Sequence, residues 1–185
     1  MIHVIVAAGK SISDVIFQIK FINMDQKQYL HEVAITAIIC KNNKYLIIRR
    51  SKNKKRFPLM WTVPGGKLET SDYTSLPKDT KDYWYNVLEK TLKREIKEEV
   101  GLEVDSIEYI TSLATVHDDG NPSLVISCLA KYKSGKIKLQ KEETDDFAWV
   151  NLKDAKNYDL IDGIYDELVM AEHKRQGKKL IWKRF

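Results

Sequence analysis

Cysteine is nearly absent from this chain of 185 residues: Cys40 and Cys128 are the only two, 88 positions apart and in apolar segments. No Cys-x-x-Cys pairing exists, and the four histidines (His3, His31, His117, His173) are scattered. That excludes a zinc site by ligand spacing and a small disulfide-stapled scaffold. Two buried, reduced thiols in a cytoplasmic protein are expected. Long hydrophobic runs are also missing. None approaches the roughly 18 to 20 residues that span a bilayer, so no membrane partner is expected. The opening Met1 to Gly9 lacks the positive start of a secretory signal. Gly9-Lys10-Ser11 resembles the tail of a phosphate loop, but the first glycine that motif requires would fall at Val4.

Negative charge is in slight deficit, with 31 Lys and Arg against 26 Asp and Glu. The imbalance is local. Lys174 to Phe185 carry six basic residues and no acid, and without them the chain is close to neutral. A second cluster of six lies between Arg49 and Arg56. The tail matches no nucleic-acid motif, and its Leu180, Ile181 and Trp182 suit docking on the domain instead. A nucleic-acid partner is not expected. With 43% hydrophobic and 31% charged residues, the chain has enough apolar material for one compact domain with its own core.

Residues 33–40 (VAITAIIC) are apolar at nearly every position, as in a strand buried on both faces. Lys41 to Lys44 form a polar turn, and Tyr45 to Arg50 read as the return strand of a hairpin. Trp61 to Pro64 form a short extended piece leading into Gly65-Gly66. Leu88, Leu92, Ile96 and Val100 recur every four residues, which predicts a helix from about Asp79 to Val100, stopped by Gly101. Strands follow at about Glu103 to His117 and Leu124 to Tyr132, joined by the turn residues Asp118 to Pro122. A further strand is expected at Phe147 to Val150, and a last amphipathic helix at Asp162 to His173. This order of elements predicts an α/β fold, a single-domain α/β/α sandwich on a mixed β-sheet. Residues 1–32 would be an N-terminal extension packed on or pairing with the core, 33–173 the domain, and 174–185 a basic tail.

The densest chemistry lies in Arg94-Glu95-Ile96-Lys97-Glu98-Glu99-Val100-Gly101-Leu102. On a helix, Glu95, Glu98 and Glu99 share one side. Three like charges repel there, in the last turns, where the helix dipole also disfavours them. Mg²⁺ or Mn²⁺ would remove both objections, since hard cations take carboxylate oxygens. The alternative is a solvated acidic stripe with an Arg94–Glu98 pair. Upstream, Pro64-Gly65-Gly66-Lys67-Leu68-Glu69 would let the backbone approach a ligand closely.

The conjunction of these two segments resembles the Nudix hydrolase family, whose signature is Gly, five residues, Glu, seven residues, then Arg-Glu-aliphatic-x-Glu-Glu-x-Gly-aliphatic. The second half is matched in full by Arg94, Glu95, Ile96, Glu98, Glu99, Gly101 and Leu102. YLIIRR, WTVPGGKLE and Trp149-Val150 resemble further parts of the family pattern, and the likeness covers about residues 33–170. One departure stands out. Gly66 and Arg94 have 27 residues between them where the family has 13, so 14 extra residues fall within Thr70 to Asn86. The signature's first Glu therefore has three candidate counterparts: Asp72, Asn86 and Glu69. Tyr83, Trp84 and Tyr85 of the insertion suit packing on the core or a partner chain, with stacking on a base as the alternative.

The resemblance implies a Nudix-type sandwich that hydrolyses a phosphoanhydride. The substrate would be a nucleoside diphosphate linked to another moiety (ADP-ribose-like) or a nucleoside triphosphate. Glu95, Glu98 and Glu99, with the Gly65 carbonyl, would hold Mg²⁺ or Mn²⁺. Arg94 would orient a carboxylate. Arg50, at the end of its strand, would clamp substrate phosphate or else remain a solvated loop charge. A loop base would come from Glu142 or Glu143, with Asp118 and Asp119 as lesser candidates. A homodimer is compatible with the resemblance. The rival is a Nudix-fold module that binds nucleotide or RNA without hydrolysis. Isomerisation of a prenyl diphosphate would need a catalytic Cys, for which the strand-bound Cys40 is poorly placed.

Overall fold

The structure is a computed structural model that describes residues 30–185. The Gly9-Lys10-Ser11 segment and nearly all of the N-terminal extension expected over residues 1–32 lie outside the described residues. From Glu32 to Phe185 the chain forms one compact unit. Its strands are β1 (Glu32–Lys41), β2 (Lys44–Arg50), β3 (Trp61–Thr62), β4 (Gly65–Lys67), β5 (Leu102–Val116), β6 (Pro122–Gly135) and β7 (Thr144–Val150). Its helices are α1 (Ser71–Thr74), α2 (Val87–Val100), α3 (Leu152–Ala155) and α4 (Ile164–Arg175).

The sheet runs β3-β2-β1-β6-β5, with β4 added to β1 and β7 to β2. It is mixed because β1 and β6 are parallel, from Glu32 opposite Ser123 to Cys40 opposite Lys131, whereas the other pairs are antiparallel. Asn42 and Asn43 make the β1–β2 turn at φ 50° and 60°, the left-handed pair that a two-residue hairpin needs.

The nearly unbroken apolar run of β1 is buried because helices cover both faces. Ile35, Ala37 and Ile39, with Leu46 and Ile48 of β2, pack under Leu92, Ile96 and Val100 of α2. Ile38, Tyr45 and Ile47 face the opposite way, onto Ile164, Leu168, Met170 and Ala171 of α4. The period of two in the strands meets the period of about four in the helices, and an α/β/α sandwich results. The three α2 side chains are fully buried; truncating Leu92 or Ile96 to alanine would cost about 2–5 kcal/mol. Cys40 and Cys128 are both free thiols; Cys128 is buried and Cys40 only partly so.

Helix α2 starts at Val87 rather than near Asp79. The Asp79 carboxylate accepts from the Tyr85 backbone N–H at 2.8 Å, and the Tyr83 carbonyl accepts from the N–H groups of Asp79 and Thr80. These local bonds close a turn that competes with the helix, and Asn86 at φ 54° completes the break. The aromatic triplet belongs to that turn. The Trp84 ring lies 5.4 Å from Tyr73 and its Nε1 donates to the Leu76 carbonyl at 3.0 Å, while Tyr83 and Tyr85 are exposed. The insertion thus folds on itself.

The tail docks in part. Leu180 packs on the α4-side core, Arg184 donates to Asp162 (2.7 Å) and Asp166 (2.8 Å), and Phe185 N–H donates to Asp166 (2.8 Å). Ile181 and Trp182 remain exposed, so the docking expected of all three apolar residues holds for Leu180 only.

Candidate active site

Strand β4 sits between β1 and α2, and its two glycines are where the three elements come closest. Thr36 of β1 pairs with Gly65 and Ile35 with Gly66. A Cβ on Gly65 would lie 2.3 Å from the Ile35 carbonyl oxygen. A Cβ on Gly66 would lie 2.1–2.4 Å from the Glu95 carboxylate. The first glycine is required by the backbone of β1 and the second by a side chain of α2.

The three glutamates of α2 occupy different environments although they share a helix face. Glu99 points inward, accepting from the Gly65 backbone N–H (3.1 Å) and the Thr144 hydroxyl (2.8 Å). Burial drives its carboxyl up to about 7. Thr144 and the Gly65 N–H oppose that rise, while Glu143 and Glu95 add to it. Glu95 lies against Gly66, and burial raises it too, against the pull of Arg94. Glu98 is about half-exposed and accepts from Arg94 Nη1 at 2.9 Å.

Arg94 is held from below by Asp72. Its Nε donates to Asp72 Oδ1 (2.6 Å) and its Nη2 to Oδ2 (3.1 Å), a two-pronged pairing. Asp72 also accepts from the Thr91 hydroxyl and the Glu69 N–H, each at 2.9 Å. Burial works to raise the Asp72 carboxyl, but Arg94 and these donors outweigh it and hold it below the usual carboxylate range. The remaining reach of Arg94 goes to Glu95 Oε1 at 2.9 Å. One guanidinium therefore ties three carboxylates together. Of the three candidates for the signature's first glutamate, Asp72 is the one that bonds Arg94. Counting forward from Gly66 reaches it; counting back from Arg94 does not. Thr91 and Thr144 carry no motif of their own and join the site through Asp72 and Glu99. Thr144 has no local signal, since only the β2–β7 pairing brings it to Glu99.

An open cleft of about 980 Å³ lies between the β2–β3 loop and the β5–β6 hairpin, and Glu95, Glu98 and Glu99 are not among its lining residues. Arg50, Glu142 and Glu143 line it, as do Asp118 and Asp119. Glu143 lies near Glu99 and forms an ion pair with Lys54. Asp119 instead pairs with Arg56 (2.8 Å) on the hairpin side. Arg50 is half-buried, and burial lowers its guanidinium against the pull of Glu99 and Glu143. Its Nε donates to the Arg56 carbonyl at 3.0 Å, so it is part of the built cleft wall rather than a free loop charge.

The donors here suit a hard divalent cation, being oxygen ligands only, around a buried carboxylate whose charge no nearby base fully compensates. Among the described residues no group of three or more His, Cys, Asp or Glu side chains is arranged to hold a metal ion by itself. A cation here would therefore need further ligands from water or substrate phosphate.

A paired-glycine strand set against a carboxylate-bearing helix, within this sandwich, defines the Nudix class of fold. The chain matches the NUDIX domain over residues 30–170 and belongs to the Nudix hydrolase family, enzymes that act on phosphoanhydride bonds. It is 27% identical over 138 residues to the nucleoside triphosphatase NudI of Klebsiella pneumoniae (strain 342), covering 68% of this chain and 86% of that one. NudI of Escherichia coli (strain K12 / DH10B) is 25% identical over 138 residues, with the same coverage. Among solved structures, a NUDIX hydrolase from Alicyclobacillus acidocaldarius superposes with a TM-score of 0.63 at 16% identity, covering 84% of this chain and 99% of its own. The MutT protein of Methanosarcina mazei Go1 gives 0.60 at 21% identity, covering 80% and 96%. These two share the fold.

Proposed function

We propose that the protein is a divalent-metal-dependent pyrophosphohydrolase. Its substrate would be a nucleoside triphosphate or a nucleoside diphosphate linked to another moiety. The observation that carries this reading is the tying of Asp72, Glu95 and Glu98 by one arginine, beside the buried Glu99 and the Gly65–Gly66 strand, with Arg50 and Glu143 linking Glu99 to a cleft lined by both basic and acidic side chains. The names of the NudI relatives favour the triphosphate.

In this reading Glu95, Glu98 and Glu99, with the Gly65 carbonyl, would hold Mg²⁺ or Mn²⁺. The bound cation would acidify a water and neutralise charge on the diphosphate under attack. Arg94, whose cationic form is reinforced above all by its bond to Asp72, fixes the carboxylates and does not touch substrate. Arg50 faces the phosphates from the cleft wall. Glu143 is favoured over Glu142 as the loop base because it lies near Glu99. Asp118 and Asp119 belong to the hairpin side, and Asp119 is engaged by Arg56. The two free thiols support a reducing compartment such as the cytoplasm.

The test is a panel of nucleoside triphosphates and nucleoside-diphosphate derivatives with Mg²⁺, read by release of phosphate, pyrophosphate or nucleoside monophosphate. Turnover that vanishes with a chelator and falls by orders of magnitude in Glu98→Gln, with an unchanged melting profile, is the expected result. No product from any compound would favour the rival, a non-hydrolysing nucleotide-binding module. Near-normal turnover in Glu98→Gln would overturn the metal assignment.

A further inference from the structure

The cleft extends beyond the carboxylate cluster, since none of the three α2 glutamates lines it, and its Phe57 and Val116 have no role in the chemistry above. The β2–β3 loop there is held on both sides. Arg56 reaches Glu32 (3.0 Å) and Asp119 (2.8 Å), Lys54 pairs with Glu143, and the backbones of Arg50, Leu59 and Met60 are cross-bonded at 3.0–3.1 Å. From this braced loop Phe57 lines the cleft, the residue 46% exposed. Its backbone sits at φ 51°, a conformation costly for a bulky L-residue, and structures tend to keep such strain at functional positions. Exposure of the ring gives up part of the burial that would offset it. Val116, 71% exposed on the β5–β6 hairpin, lines the same cleft.

The other exposed aromatics do not serve this end of the cleft. Tyr83 and Tyr85 precede α2 and are not among the cleft-lining residues. They are two or more helical turns from Glu95, which lies eight residues into the helix. Lys55 lines the cleft beside Phe57, and among the described residues it has no carboxylate partner.

Resting on the reading above, we propose that Phe57 is the base-stacking, specificity-determining residue of this cleft. The nucleobase seats on the Phe57 ring with Val116 as the second apolar contact, and the phosphates run inward past Lys55 and Arg50 to the carboxylates. The braced loop presents the ring ready-made, so little ordering is required on binding. A ring face accepts any base, so the cleft would separate nucleotides from base-free phosphoanhydrides more sharply than one base from another.

The experiment is calorimetric binding at fixed Mg²⁺ of methylene-bridged nucleoside triphosphates, with methylenediphosphonate as the base-free probe. Phe57→Ala is expected to weaken the nucleotides by about tenfold or more relative to methylenediphosphonate, and Phe57→Trp to restore them. Melting curves check that each variant is folded. Equal weakening of both probes, nucleotide affinity unchanged in Phe57→Ala, or no nucleotide binding by the unaltered protein would each overturn the proposal. The hydrolysis panel decides the reading it rests on separately. Nucleotides bound through Phe57 but never cleaved would sink the hydrolase and leave the stacking residue standing.

Discussion

Gly66→Ala should separate the geometry of the site from the stability of the fold. The added Cβ would lie 2.1 Å from Glu95 Cδ and 2.3–2.4 Å from its two oxygens, whereas ordinary contact begins at 3.4 Å. Relief therefore requires the carboxylate to retreat by about 1 Å. The obstacle is the far end of a flexible side chain, so the strand and helix need not move, and we expect a stability loss of under about 1 kcal/mol. Catalysis is less tolerant: a displacement of about 1 Å at a positioning group costs on the order of 10²-fold, or about 2.7 kcal/mol of barrier. Gly65→Ala is the matched control. Its Cβ would strike the Ile35 carbonyl at 2.3 Å and the Thr36 Cα at 2.7 Å, both backbone atoms of the central strand, and several kcal/mol of stability should be lost. Urea unfolding and single-turnover hydrolysis on both variants are the assays. A folded Gly66→Ala with full turnover would refute the reasoning, as would a Gly66→Ala that unfolds like Gly65→Ala.

Two further outcomes concern charges away from the carboxylates. Glu32 accepts from Lys67 (2.9 Å), Arg56 (3.0 Å) and Ser123 (3.1 Å), and the Lys67 and Arg56 bonds outweigh partial burial to hold its carboxyl at about 2. A lowered folded value means that its stabilisation is present above the ordinary range near 4.5 and is lost as pH falls toward 2. Discounted for solvent screening, it amounts to about 1 kcal/mol or less, so Glu32→Gln should flatten the urea midpoint between pH 5 and 2, and an unchanged slope would contradict the assignment. Removing residues 180–185 would strip Leu180, Arg184 and Phe185 from the α4 face. The melting temperature should fall by about 2–4 °C with hydrolysis of small nucleotides largely unchanged; a large loss of activity would place the tail in the site.

Much of this architecture is legible in residue order, because burial imposes a period. VAITAIIC of β1 and the four-residue spacing of Leu88, Leu92, Ile96 and Val100 determine a doubly covered strand and the helix above it. Gly101, at φ 73°, ends that helix where a left-handed residue is needed. The family resemblance also resides in the sequence, in the run from Arg94 to Leu102 and the Gly65–Gly66 pair. The start of α2 was less legible, since the side-chain bond from Asp79 to Tyr85 competes with helix on purely local terms.

Tertiary structure alone decided which carboxylate serves which end. Spacing treats Glu95, Glu98 and Glu99 as equivalent, yet β4 and β7 bury Glu99 under Gly65 and Thr144 while Glu98 stays in water. The choice of Asp72 to hold Arg94 likewise depends on where the insertion folds back, and the separation of Glu143 from Asp119 on the pairing of β7 with β2, since Glu143 precedes β7 and Asp119 sits in the β5–β6 turn. Helix and strand periods are set by neighbours a few residues away, so they are written in the sequence. Desolvation and charge pairing are set by neighbours tens of residues away, which only the assembled sheet brings within 3 Å.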